Sequence, residues 1–232
     1  MRTYAVCLCC AVVLSLTACV GDAPAAGQQA GDIAAIQKAA EQGDAEAQRN
    51  LGGMYYDGRG VPQDYAKAAQ WFRKAAEQGL ANAQNALGVM YYDGRGVPKD
   101  YAKAAQWFRK AAEQGHVLAL GILGVMYLEG RGMPEDEADT AQWFWKAAEQ
   151  GAAWAQGILG AMYAEGRGVI RDLQQGCGRL RASAEQGDNN AAMLYNNFCA
   201  PGKTTLSKEE EQRLREQVKR LVESAEDLAI LR

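Results

Sequence analysis

Few residues in this chain have the types and spacing that chemistry needs. The whole sequence holds one histidine, His116, and beyond the first 18 residues its serines are Ser183, Ser207 and Ser224. None sits in a Gly-x-Ser-x-Gly elbow, so no nucleophile is presented to a base in the usual hydrolase manner. A catalytic or structural zinc site needs three or four ligands gathered together, more than His116 and its neighbours supply. Gly202, Lys203 and Thr204 imitate the end of a phosphate loop, but Asn197 stands where the earlier glycine belongs and no strand precedes it. The triplet Gly58, Arg59, Gly60 and its copies around Arg95, Arg131 and Arg167 end helices rather than open them after a strand, unlike nucleotide loops. That arginine ladder could receive anions, yet arginines near helix C-termini more often bond terminal carbonyls and complement the helix dipole, and this is the favoured reading. The chain therefore reads as a non-enzyme without metal or cofactor.

The cysteines carry more information. Cys7, Cys9 and Cys10 lie in or beside an apolar run from Ala5 to Leu16 that follows Arg2 and ends in Leu16, Thr17, Ala18, Cys19. The run is shorter than the roughly 20 residues of a membrane span and has the layout of an export signal. Its last four residues resemble the lipobox of bacterial lipoproteins, which implies a signal at 1–18, a lipidated Cys19 and a tether at 19–31. An ordinary signal cut after Ala18, or an uncleaved anchor, also places the rest outside the cytoplasm. Val20, in place of Asp, resembles an outer-membrane address, so the expectation is an outer-membrane lipoprotein facing the periplasm, with surface exposure an alternative. Acyl chains at about 0.8 kcal/mol per buried methylene hold such a protein to a bilayer, and lipid is the one membrane contact expected. Losing 1–18 takes only Arg2 from the 25 basic residues, so 24 face 28 acidic ones, a balance that disfavours nucleic acid.

The elements that position everything else come from a repeat. Met54 to Gly79 returns as Met90 to Gly115 with one change, Gln63 to Lys99, and more loosely as Met126 to Gly151 and Met162 to Gly187, a period of 36. Four full units, 44–79, 80–115, 116–151 and 152–187, are flanked by half units from Asp32 to Gly43 and from Asp188 to Ala200. Ala47, Leu51 and Tyr55, four apart, share a stripe on a first helix. Gly58, Gly60 and Pro62 end it, Asp64 caps a second helix, and Ala68, Trp71, Phe72, Ala75 and Ala76 form that helix's packing face before Gly79. One such pair cannot bury its own apolar face, but a stack can, which predicts an all-α solenoid of antiparallel helix pairs over 32–200. After Pro201 and Gly202, Leu206, Ser207 and Glu210 give a staple and capping box. The stripe Leu214, Val218, Leu221, Val222, Ala225, Leu228 then predicts an amphipathic capping helix within 201–232; a surface helix contacting membrane or partner is the alternative.

The recurring Ala47, Leu51, Gly52, Tyr55, Gly58, Gly60, Val61, Asp64, Ala68, Trp71, Ala75, Ala76, Gly79 closely resembles the Sel-like repeat, a relative of the tetratricopeptide repeat, from about Asp32 to Ala200. The resemblance implies a right-handed superhelix, taken as a monomer, and a role as a scaffold that binds another protein. In this family the partner is a toxin, an effector or an envelope protein, and one form is an immunity-type inhibitor. A surface-exposed adhesin or host-interaction factor is the alternative, and a weak β-lactam-binding hydrolase the more distant one, since the members linked to that activity carry a cysteine pair in each repeat. The fourth unit departs from the pattern at Ile170, Cys177 and Arg179, where the stack is expected to loosen or repack.

In such solenoids the first helices line the concave face. Its variable positions turn apolar toward the C-terminal half, so Tyr56, Tyr92, Leu118, Ile122, Val125, Trp154 and Ile158 form the candidate docking surface. The competing reading is that a capping segment or tighter curvature covers Leu118, Ile122, Trp154 and Ile158 and makes them core. Cys177 and Cys199 lie at matching distances on either side of the turn at Gly187 and Asp188, which predicts a disulfide across an antiparallel helix pair. It would be worth on the order of 3 kcal/mol; two buried thiols are the alternative.

Overall fold

The computed structural model describes residues 26–199 and 205–230, with the side chains of 32–199 and 205–219. The export signal, Cys19, most of the tether and the Gly202 to Thr204 segment lie outside the described residues.

Aspartates punctuate the chain. Asp44, Asp64, Asp100, Asp136, Asp172 and Asp188 each sit in extended backbone just before a helix and accept hydrogen bonds from its first free N–H groups. Those donors also hold the carboxyls of Asp64 and Asp100 below the ordinary carboxylate value, the N–H of Lys67 and of Lys103 being the largest cause. The first helices of the four units are α2 (Ala45–Asp57), α4 (Ala81–Asp93), α6 (Val117–Glu129) and α8 (Ala153–Glu165). The second helices are α3 (Tyr65–Glu77), α5 (Tyr101–Glu113), α7 (Glu137–Glu149) and α9 (Leu173–Glu185). The half units supply α1 (Ala26–Glu41) and α10 (Asn189–Phe198), and α11 (Lys208–Ile230) follows.

Each first helix packs on its own second helix and on the second helix of the preceding unit. This regular stacking makes an all-helical solenoid whose apolar core runs from α3 to α11. Its centre is filled by Phe108, Phe144, Leu123, Met126 and Leu159, all essentially inaccessible. Alanines on the second helices, such as Ala75, Ala111 and Ala147, let the facing backbones approach.

The fourth unit does not loosen. Gly176 stands where the first two units have Ala68 and Ala104 and the third has Thr140, and Gly160 of α8 faces it so closely that a β-carbon on either residue would lie within 2.8 Å of the other's carbonyl oxygen. The loss of Trp at Arg179 is offset by direct backbone approach, and α8 and α9 are joined more tightly as a result. Beyond them Cys177 and Cys199 are bonded, with Cα atoms 5.6 Å apart, tying α9 to the end of α10.

The capping box at the start of α11 forms in both directions: the Glu210 N–H donates to Ser207 Oγ at 3.2 Å, and the Ser207 N–H donates to Glu210 Oε2 at 2.9 Å. Leu206 is buried beside it. The helix does not merely close the end of the stack. It lies across the first-helix face, against α6, α8 and α10.

That placement corrects the expected docking surface. Tyr92, Ile122, Val125 and Ile158 are buried, and Leu118 and Trp154 are half-buried against the same core. α11 brings Leu214 and Val218 into the core cluster that contains Ile122, Val125 and Ile158. Tyr56 is half-buried, its ring edge-on to Tyr65 with centroids 5.1 Å apart. The apolar run of the third and fourth units is thus interior, because an intramolecular amphipathic helix supplies the partner that its composition demands.

Candidate functional site

Among the described residues, His116, Ser183 and Ser207 have structural roles. The His116 Nδ1 accepts the Ala119 N–H at 3.2 Å and caps α6, and burial lowers its imidazole below the ordinary histidine value. Ser183 is buried and donates to the Ala153 carbonyl at 2.7 Å. Ser207 is the cap of α11. No group of three or more His, Cys, Asp or Glu residues suited to a metal ion occurs among the described residues.

The arginine ladder is a set of joints between units. Arg95 donates to the Tyr56 hydroxyl at 2.6 Å, Arg131 to the Tyr92 hydroxyl, and Arg167 to Glu137 at 2.8 Å, each reaching back one unit. Burial raises the Tyr56 phenol above its ordinary value although Arg95 pulls it down. Each guanidinium also pairs with the carboxylate two residues before it, Asp93 for Arg95 and Glu129 for Arg131. The glycine after each arginine completes the joint. Gly96, Gly132 and Gly168 have positive φ, and a β-carbon on any of them would strike the first backbone units of α3, α5 and α7. Sequence reading took these glycines only as helix ends; their second role needed the register between units. Arg59, with no full unit before it, pairs with Asp57 and remains largely exposed.

Among the described residues, what stays open is the N-terminal half of the first-helix face. A cleft of about 730 Å³ lies between α1, α2 and α4. Its floor is formed by Ile33, Ile36 and Met54, all half-buried, and its rim by Arg49, Asn50 and Asn82. Asn50 and Asn82 are exposed, and Arg49 is held by Glu46 at 3.0 Å. The arrangement pairs an apolar floor with side-chain amides able to donate and accept, which suits a polypeptide segment better than a compact charged ligand. None of these residues was among the anchors expected from sequence. The sequence places Arg49, Asn50 and Asn82 on the groove-lining first-helix face, but its apolar half draws the anchors until that half is known to be covered.

The Sel1 repeat model matches residues 36–44, 45–80, 81–116, 118–151 and 155–188. The chain is a Sel1-repeat protein. Among solved structures, this Sel1-repeat protein is similar to a protective antigen of uropathogenic Escherichia coli strains with the same repeat fold, at 35% identity and a TM-score of 0.70. That similarity covers 85% of the present chain but 42% of the antigen, so the chain spans about two-fifths of that relative's length. It is also similar to a Sel1 repeat protein from Oxalobacter formigenes at 31% identity and a TM-score of 0.67, covering 82% of this chain and 84% of that one. No curated protein sequence matches the chain. No helix among the described residues is long and apolar enough to cross a membrane.

Proposed function

We propose that this Sel1-repeat protein is a lipid-anchored scaffold of the bacterial envelope that holds a segment of another protein in the cleft between α1, α2 and α4. The observation that carries the reading is the division of the first-helix face. Its C-terminal half is filled by α11, while its N-terminal half keeps an apolar floor under the exposed amides of Asn50 and Asn82. Support for the compartment comes from the Leu16 to Cys19 motif and from the Cys177–Cys199 bond, since disulfides persist in oxidising surroundings.

The test is capture of partners from envelope fractions by the wild-type protein and by the double variant N50R/N82R. Both positions are exposed, so the variant should melt within about 1 kcal/mol of wild type and lose the captured protein. Retention of the partner by a well-folded variant would exclude this cleft. For the anchor, labelled palmitate should enter the wild-type chain and not C19S, and an unlabelled wild type would remove the lipid from the proposal.

The E. coli relative, a protective antigen, favours a second placement of the same scaffold on the cell surface. Digestion of intact cells separates the two: a protected chain is periplasmic and available to act as an inhibitor of an incoming toxin, whereas a cleaved one is displayed outside.

A further inference from the structure

Where α11 packs on α8, a carboxylate is buried within reach of the α11 charges. Glu165 ends α8, its side chain is 2% exposed, and neither of its oxygens receives a hydrogen bond. Asp57, Asp93 and Glu129 occupy the same place in the earlier units and keep 39%, 16% and 28% exposure. The charges facing Glu165 are Arg167 of the following turn, at 3.8 Å, Arg215 of α11 and Glu137 of α7. Arg167 has a nearer partner in Glu137, at 2.8 Å. Among the other charged groups nearby, Arg171 is engaged with Glu211 of α11 at 2.7 Å, and Arg179 of α9 lies over the Tyr163 ring. Glu165 is thus stripped of water when α11 is seated and receives only distant compensation, a cost that the ionised form alone bears.

We propose that α11 is a releasable lid over the strip of Ile122, Val125 and Ile158, and that the buried Glu165 carboxyl sets when the lid lets go. When α11 leaves, Glu165 regains water and the strip is exposed. The strip then fits the apolar face of an amphipathic helix with side chains one turn apart, because Leu214 and Val218 of such a helix already occupy that core. This surface is separate from the N-terminal cleft, and the inference does not rest on the role given to that cleft.

The direction of the pH response follows from the geometry. Burial raises the seated carboxyl from 4.5 to about 7, opposed by Arg167 and Arg215. The seated state therefore holds a proton that the open state releases, so the lid is firmest in mild acid and loosens as pH rises toward 7. One proton coupled in this way changes the closing equilibrium by up to tenfold per pH unit inside that window.

Hydrogen exchange of the full disulfide-bonded chain, read by mass spectrometry and corrected for intrinsic rates, tests this. Protection of the first two-thirds of α11 should fall about tenfold or more between pH 5.5 and pH 8, while α3 and α5 hold theirs. E165Q, which carries no titrating group, should flatten the profile. R215Q, which removes an attraction felt only by the ionised carboxylate, should steepen it. A flat wild-type profile, an E165Q profile matching wild type, or an R215Q profile no steeper than wild type would overturn the lid.

Discussion

The Trp154 indole of the fourth unit fills the space above Gly121 of the third so closely that no β-carbon fits there. The same ring meets Phe144 edge-on, with centroids 6.2 Å apart, and Ile158, one turn further along α8, is 1% exposed. These side chains weld units three and four together. Alanine at Trp154 should cost about 3 kcal/mol and at Ile158 about 2 kcal/mol or more. Thermal melting with partner capture measured in parallel checks this. Loss of capture with an unchanged melt would mean that the two residues face a partner after all.

Two glycines with similar backbone angles should respond differently to alanine. Gly132 has φ +76 and its added β-carbon would strike the Tyr101 carbonyl of the preceding unit, whereas Gly151, at φ +82, has open space. The second change carries only the left-handed backbone penalty, about 1 kcal/mol. The first adds a clash at the joint between units and should cost about 3 kcal/mol or more. Equal losses in the melts of G132A and G151A would show that the glycine after Arg131 is not a joint.

The Cys177–Cys199 bond spans 22 positions of sequence and fastens the last half unit, which has no second helix of its own. In the chain-entropy picture it is worth about 3 kcal/mol. C177A/C199A, or reduction of the wild type, should lower the melting temperature by roughly 6 to 12 °C for a chain of this size. An unmoved melt, or two free thiols in the purified protein by non-reducing mass spectrometry, would remove the bond from the account.

The repeat was legible because its signals are local. Asp64 as a cap, Gly58 as a left-handed stop and the Ala68 to Ala76 packing face all act within one turn or one loop, and the helices begin and end where these residues dictate. The pairing of Cys177 with Cys199 was legible for the same reason, since one turn sets the register of α9 and α10. The path of α11 was not. Its capping box fixes where it starts, and its stripe shows that one face must be buried, but neither says whether that face meets the end of the stack or the first-helix face. A choice between long-range packings decided the fate of Ile122, Val125 and Ile158. It also hid the N-terminal cleft, whose polar rim looks ordinary in a one-dimensional pattern. The glycine and arginine joints escaped for a related reason: Arg95 and Tyr56 are 39 positions apart, and only the stacking register brings them together.

The one histidine provides a test that separates local from long-range electrostatics. His116 caps α6 through an unprotonated Nδ1, which accepts the Ala119 N–H, and burial lowers its imidazole from the ordinary 6.5. The folded chain therefore prefers the neutral ring, while the unfolded chain takes up a proton near 6.5. The stability that the cap contributes is complete above that value and is lost as pH falls through the lower folded one. Glu165 acts in the opposite sense, because its raised carboxyl binds a proton in the folded state and adds stability as the solution is acidified below about 7. Melting of the wild type alone mixes the two. H116N keeps a side-chain acceptor at the cap and has no charge to gain, so the difference between H116N and wild type isolates the histidine. That difference should move in favour of H116N between pH 7.5 and pH 5, whereas H116A should lose about 1 kcal/mol at pH 7.5. A gap between H116N and wild type that stays constant across this range would mean that the imidazole remains free to protonate in the folded chain, and that the α6 cap does not depend on its neutral form.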